Sequence, residues 1–141
     1  MKTDYLLWIY LVVNTISDIR TKKVNVLWSL LFTFGGIMLF VCGQEKDILS
    51  FIGGFLTGIS LLFLAYVSKE VVGWGDGFVV TAVGIWLGFG RTLMILMGGL
   101  LLAAGYGLIK IMLKKADRKS ELAFIPFFSL AYSLLYAGGM L

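Results

Sequence analysis

"GWGDGF", residues 73–78, sets one carboxylate, Asp76, among Gly73, Gly75 and Gly77 in a chain with few charges. Glycine lacks a Cβ and lets backbones approach closely, at an entropic cost to the folded state. The segment therefore reads in two ways. Either it is a tight turn between helices, or it clears space around a carboxylate that does chemistry.

Composition sets the fold class. The chain has 141 residues, 60% hydrophobic and 14% charged, with a mean hydropathy of +0.96. Soluble domains carry about 25% charged residues, so the reading is an integral membrane protein in a lipid bilayer. Eighteen glycines and one proline suit membrane helices, where small residues allow close packing. Cys42 is the single cysteine, which excludes an internal disulfide. Histidine is absent, which excludes Ser-His-Asp and Cys-His nucleophile systems and an H-E-x-x-H zinc site. No metal or cofactor is expected. If the protein is a hydrolase, carboxylates are the remaining catalysts.

Six apolar stretches predict an all-α, polytopic fold with about six transmembrane helices. They run over roughly Tyr5–Ile19, Val26–Cys42, Ile48–Val67, Gly77–Phe89, Thr92–Ile111 and Leu122–Leu141. They form one membrane domain over residues 1–141, with no separate soluble domain. The first and fourth are short against the ~20 residues a span needs. Each reaches that length only by taking in its neighbouring aspartate, Asp18 or Asp76, which puts both carboxylates at helix ends near the membrane boundary. The N-terminus lacks a small-residue cleavage site, and Asn14 and Asp18 interrupt it, so it does not read as a removable signal peptide.

Loop charges set the orientation. Arg20, Lys22, Lys23, Lys69, Lys110, Lys114, Lys115, Arg118 and Lys119 fall on one side of a six-span chain. Only Lys2, Lys46 and Arg91 fall on the other. The positive-inside rule places the rich side in the cytoplasm and both termini outside. Asp18 and Asp76, 58 positions apart, then share the cytoplasmic side. Two carboxylates held together share a proton, because like charges in a partly desolvated site repel. The ionised member can take a proton from water and the protonated one can give a proton to a scissile carbonyl. Peptide hydrolysis then needs neither metal nor serine.

At this point the chain resembles the type IV prepilin peptidases, which are intramembrane-type aspartyl proteases. "GWGDGF" is similar to their G-x-G-D motif. "DIRTKKVN", residues 18–25, resembles their first-aspartate segment, D-x-R-x-x-x-I-P-N. "FIPFFSLAYSLL", residues 124–135, resembles their last helix. The resemblance implies Asp18 and Asp76 as the catalytic pair, with Arg20 and the three glycines shaping the adjoining loops. It also implies, as substrate, the basic, glycine-ending leader of a type IV prepilin or pseudopilin, cut at the cytoplasmic face. Two departures stand out. Phe78 replaces a lysine common two places after the motif aspartate, and Val24–Asn25–Val26 lacks the family's proline. The cysteine-bearing cytoplasmic insert of bifunctional members is also missing, so the chain resembles the short form with peptidase but not methyltransferase activity.

Plainer readings stand beside these. Asp18 could be a helix-end carboxylate balanced by Arg20 and Lys22, and Asp76 an N-cap. Gly54 and Gly58 read as a small-xxx-small packing pair, and Pro126 as a helix-start or kink residue. Trp8, Trp28, Trp74 and Trp86 read as interface or packing aromatics, and Cys42 as inert. Glu70, Asp117 and Glu121 read as solvated charges. The basic stretch from Lys110 to Lys119 reads as a topology signal attracting anionic lipid, not a nucleic-acid site. The competing function is a small carrier or assembly factor whose carboxylates bind a proton or cation, or an inactive family member. A carrier needs carboxylates lining a path with access to both sides, and no such charge is visible in the outer half. Oligomeric state is not set by the sequence.

Overall fold

The structure is a computed structural model, and it describes residues 2–21, 25–43, 47–67, 74–113 and 124–140. These form six helices: α1 (Lys2–Thr21), α2 (Val26–Val41), α3 (Ile48–Val67), α4 (Trp74–Leu87), α5 (Phe89–Met112) and α6 (Ile125–Ala137). Among the described residues there is no strand. By length and composition, α3 and α5 are long and apolar enough to cross a membrane, with mean hydropathies of 2.2 and 2.0. The others are shorter or, in α1, carry more charge.

Local chemistry explains the helix ends. Asn25 caps α2, its side-chain oxygen accepting from the Leu27 N–H at 3.2 Å. Pro126 lies in the first turn of α6, where a missing N–H costs nothing. One residue, Gly88 at φ 85°, separates α4 from α5, a backbone conformation that favours glycine. The break therefore falls earlier than the Phe89–Thr92 interval expected from the sequence. The Phe89 N–H donates to Ser50 Oγ on α3 at 3.2 Å, which pins this corner.

Helix α4 is the hub. It packs against α1, α2, α3 and α5, while α6 closes on α1 and α5. It is buried nearly all round, with every residue from Val79 to Trp86 in the interior. A helix apolar on every side along most of its length belongs inside a bundle. The α3–α4 contact is the tightest. A Cβ on Gly54 would strike the backbone of Gly84, and one on Gly58 would strike Thr81. The glycine pair thus serves packing, as expected.

The core joins Leu7 and Leu11 of α1, Val80 and Val83 of α4, Ile95 of α5 and Phe128 of α6. A ladder of rings ties in α2: Tyr10 stacks on Phe32 at 4.1 Å between centroids, and Phe32 on Trp86 at 4.5 Å. Trp86 Nε1 donates to the Phe32 carbonyl and the Tyr10 hydroxyl to Ser29 Oγ, both at 2.8 Å. Trp86 is thus a packing aromatic, whereas Trp8, Trp28 and Trp74 are exposed. Large apolar side chains such as Leu49, Leu101 and Met112 also cover the outside. An apolar exterior on this scale suits lipid better than water.

Candidate active site

Asp18 lies near the end of α1 and is only 6% exposed. A buried charge in an apolar bundle needs partners, and the backbone N–H of Ile125 supplies one. That N–H opens α6, whose own N-cap residue, Phe124, provides no side-chain cap. Asp18 therefore caps a neighbouring helix from outside its sequence. The other carboxylate oxygen, Oδ2, is buried and has no hydrogen-bond partner among the described residues. Arg20 is exposed, and among the described residues it forms no ion pair with Asp18. The plain reading of an Asp18 charge balanced by Arg20 is corrected: Asp18 turns inward to α6 and Arg20 turns out. Lys22 lies outside the described residues.

Asp76 lies in the first turn of α4 and is half-buried. The N-cap reading is corrected as well, because α4 already begins at Trp74. Asp18 lies near enough to Asp76 to act electrostatically on its carboxyl, both residues standing at the same end of the bundle. Each carboxylate also meets a helix N-terminus, Asp18 that of α6 and Asp76 that of its own helix. Unpaired N–H groups there favour negative charge.

The glycines separate. Gly75 and Gly77 lie inside α4 and form no turn. A Cβ on Gly77 would come within 2.6 Å of Leu62 Cδ2, so this glycine lets α3 close against the Asp76 turn. Gly73 lies outside the described residues, as do Lys69, Glu70, Lys114–Lys119, Asp117 and Glu121. Cys42 is a free, exposed thiol at the far end of α2. Among the described residues no three His, Cys, Asp or Glu side chains gather into a metal-binding group.

The opposite end of the bundle holds a cavity of about 370 Å³, lined by Asp4, Asp47, Ser50, Trp86, Gly88 and Arg91. The expectation that no charge is visible in the outer half is corrected here, since Asp4, Asp47 and Arg91 stand together at this end. Sequence spacing did not reveal the cavity because its three charged residues come from three separate elements. It does not run to Asp18 and Asp76. Leu11 on α1 and Val79, Val80 and Val83 on α4, each at most 1% exposed, fill the bundle between the two ends.

Among the described residues the fold is an all-helical bundle with an apolar exterior, two helices long and apolar enough to cross a membrane, and an aspartate pair near one end. The family model for the type IV leader peptidase family matches residues 5–108, well over half the chain, and the protein belongs to that family. The family is membrane-associated and implies a leader peptidase. The match takes in both aspartates and ends before α6, so the likeness seen in residues 124–135 lies outside it. No curated protein and no solved structure matches the chain significantly.

Proposed function

We propose that the protein is a six-span membrane aspartyl endopeptidase that removes the leader of a type IV prepilin-like or pseudopilin substrate at the cytoplasmic membrane face. The observation that carries this reading is the electrostatic proximity of Asp18 and Asp76 in a chain of the leader peptidase family. The ionised aspartate takes a proton from water as the water oxygen attacks the scissile carbonyl carbon. The protonated aspartate gives its proton to the carbonyl oxygen. As the resulting diol collapses, the C–N bond breaks and the leaving amine takes a proton from the pair, which returns to its starting state. Gly77 supports the reading by letting α3 brace the turn that carries Asp76.

The carrier alternative gains one observation, the charges at the far end. The packed side chains between that cavity and the aspartates weigh against a through-path. Co-expression with candidate prepilins, scored by leader removal, tests the peptidase reading. Cleavage requiring this chain supports it, and no cleavage of any prepilin or pseudopilin would overturn it.

The orientation with both termini outside is tested with thiols. Cys42, exposed at the end of α2, should react with a membrane-impermeant reagent in intact cells. Lys115→Cys in a Cys42→Ser background should react only after permeabilisation. The reverse pattern would move both aspartates to the outer face. Mass spectrometry of a mature pilin made with this enzyme alone should show an unmodified N-terminal amine, since the chain has one cysteine and no insert.

A further inference from the structure

Hydroxyls inside helices have an obvious partner, the carbonyl one turn back, and in an apolar setting they normally take it. Thr21, Thr33, Thr57, Ser60, Thr81 and Ser133 each donate to the carbonyl four residues earlier, at 2.7–3.0 Å. Thr15 does not. Its Oγ1 is buried with no hydrogen-bond partner. Leaving a buried hydroxyl unsatisfied is costly, so forgoing the local bond calls for an explanation.

The second orphan on α1 supplies one. Asp18 Oδ2 is also buried without a partner, on a residue 6% exposed. Thr15 and Asp18 are three residues apart on one helix, which puts them on the same face with Cβ atoms ~5–6 Å apart. The first oxygen of Asp18 is held by the Ile125 N–H. What remains is an acceptor and a hydroxyl on one face of α1, both without a partner among the described residues.

We propose that Thr15 orients the attacking water of the peptidase. One hydrogen of that water bonds to Asp18 Oδ2, and the Thr15 hydroxyl donates to one lone pair of its oxygen. The water is then held at two points, and its second lone pair is free toward the scissile carbonyl near Asp76. In the chemical step the first proton passes to Asp18 while the new C–O bond forms. The second stays on the oxygen, so Thr15 neither gains nor loses a proton. Its contribution is orientation, which appears in the chemical step and not in substrate binding. Thr92 Oγ1 is likewise buried without a partner, but it lies beside Arg91 at the far end of the bundle and serves as a control.

This inference rests on the peptidase reading, and the assay separates the two. Purified protein in lipid nanodiscs is tested for cleavage of a prepilin leader as wild type, Thr15→Val, Thr15→Ser, Thr92→Val and Asp18→Asn. Cleavage by Asp18→Asn at the wild-type rate would sink the reading itself. With Asp18→Asn inactive, Thr15→Val should lower kcat about 10–100-fold with KM within about twofold, on the scale of a misplaced reacting group. Thr15→Ser should restore kcat, and Thr92→Val should match wild type. The inference is overturned if Thr15→Val keeps its kcat or if Thr15→Ser is as impaired as Thr15→Val. Should Thr15→Val not fold, Thr15→Ala against Thr15→Ser carries the same comparison.

Discussion

At one end of the bundle two like charges, Asp18 and Asp76, are drawn together, and one of them is buried with an open oxygen. At the other end, charges of both signs line an open cavity, where Arg91 and Asp47 are exposed and Asp4 is half-buried. The far end follows ordinary electrostatics. Opposite charges near solvent cost little to hold, and their loss changes little. Asp4 and Tyr132 also tie α1 to α6 there, through a hydrogen bond from the Tyr132 hydroxyl to the Asp4 carbonyl at 3.4 Å. The aspartate end runs against that logic. Like charges repel, and a buried oxygen without a partner is a standing cost. Such a cost persists only where the rest of the fold supports it, and sites of this kind cluster where chemistry is done.

The largest effect that can break this comparison comes from the aspartates themselves. Asp18→Asn or Asp76→Asn removes an ionisable partner and keeps the shape. Either should lower leader cleavage by at least ~10²-fold at matched membrane expression. A smaller effect should come from the packing that holds α4 in place. Gly54→Ala drives a Cβ into the Gly84 backbone, which cannot rotate away as a side chain would. It should destabilise the bundle by about 1–3 kcal/mol, read as a lower midpoint of thermal unfolding in detergent. The smallest effect should be at the far end. Asp47→Asn should leave cleavage within about twofold of wild type, as exposed charges contribute little. A large loss there would mean that the two ends are coupled.

The helices were legible where apolar runs were long. The expected Ile48–Val67 span is α3 to the residue, and Val26–Cys42 exceeds α2 by one. The α4 boundary was not legible, because Trp74 and Gly75 read as a loop before a span but form its first turn. Glycine is a poor helix former, and burial against α3 overrides that preference here. Parity along the chain put Asp18 and Asp76 on one side, and in the structure the two are near enough to act on each other electrostatically. The Ile125 N–H was not, since a backbone donor from a distant helix leaves no mark on sequence spacing. Thr15 was missed for a related reason. A threonine in an apolar helix looks ordinary until its hydroxyl is found turned away from the carbonyl behind it.

The central claim is that Asp18 and Asp76 act as one unit, and the double substitution tests it most directly. Leader removal is compared for Asp18→Asn, Asp76→Asn and the pair combined, at matched expression and folding. Residues that share one proton cycle are grossly non-additive, so the double variant should be hardly worse than either single one. Losses that multiply would show two independent contributions, and robust cleavage by either single variant would contradict the account outright.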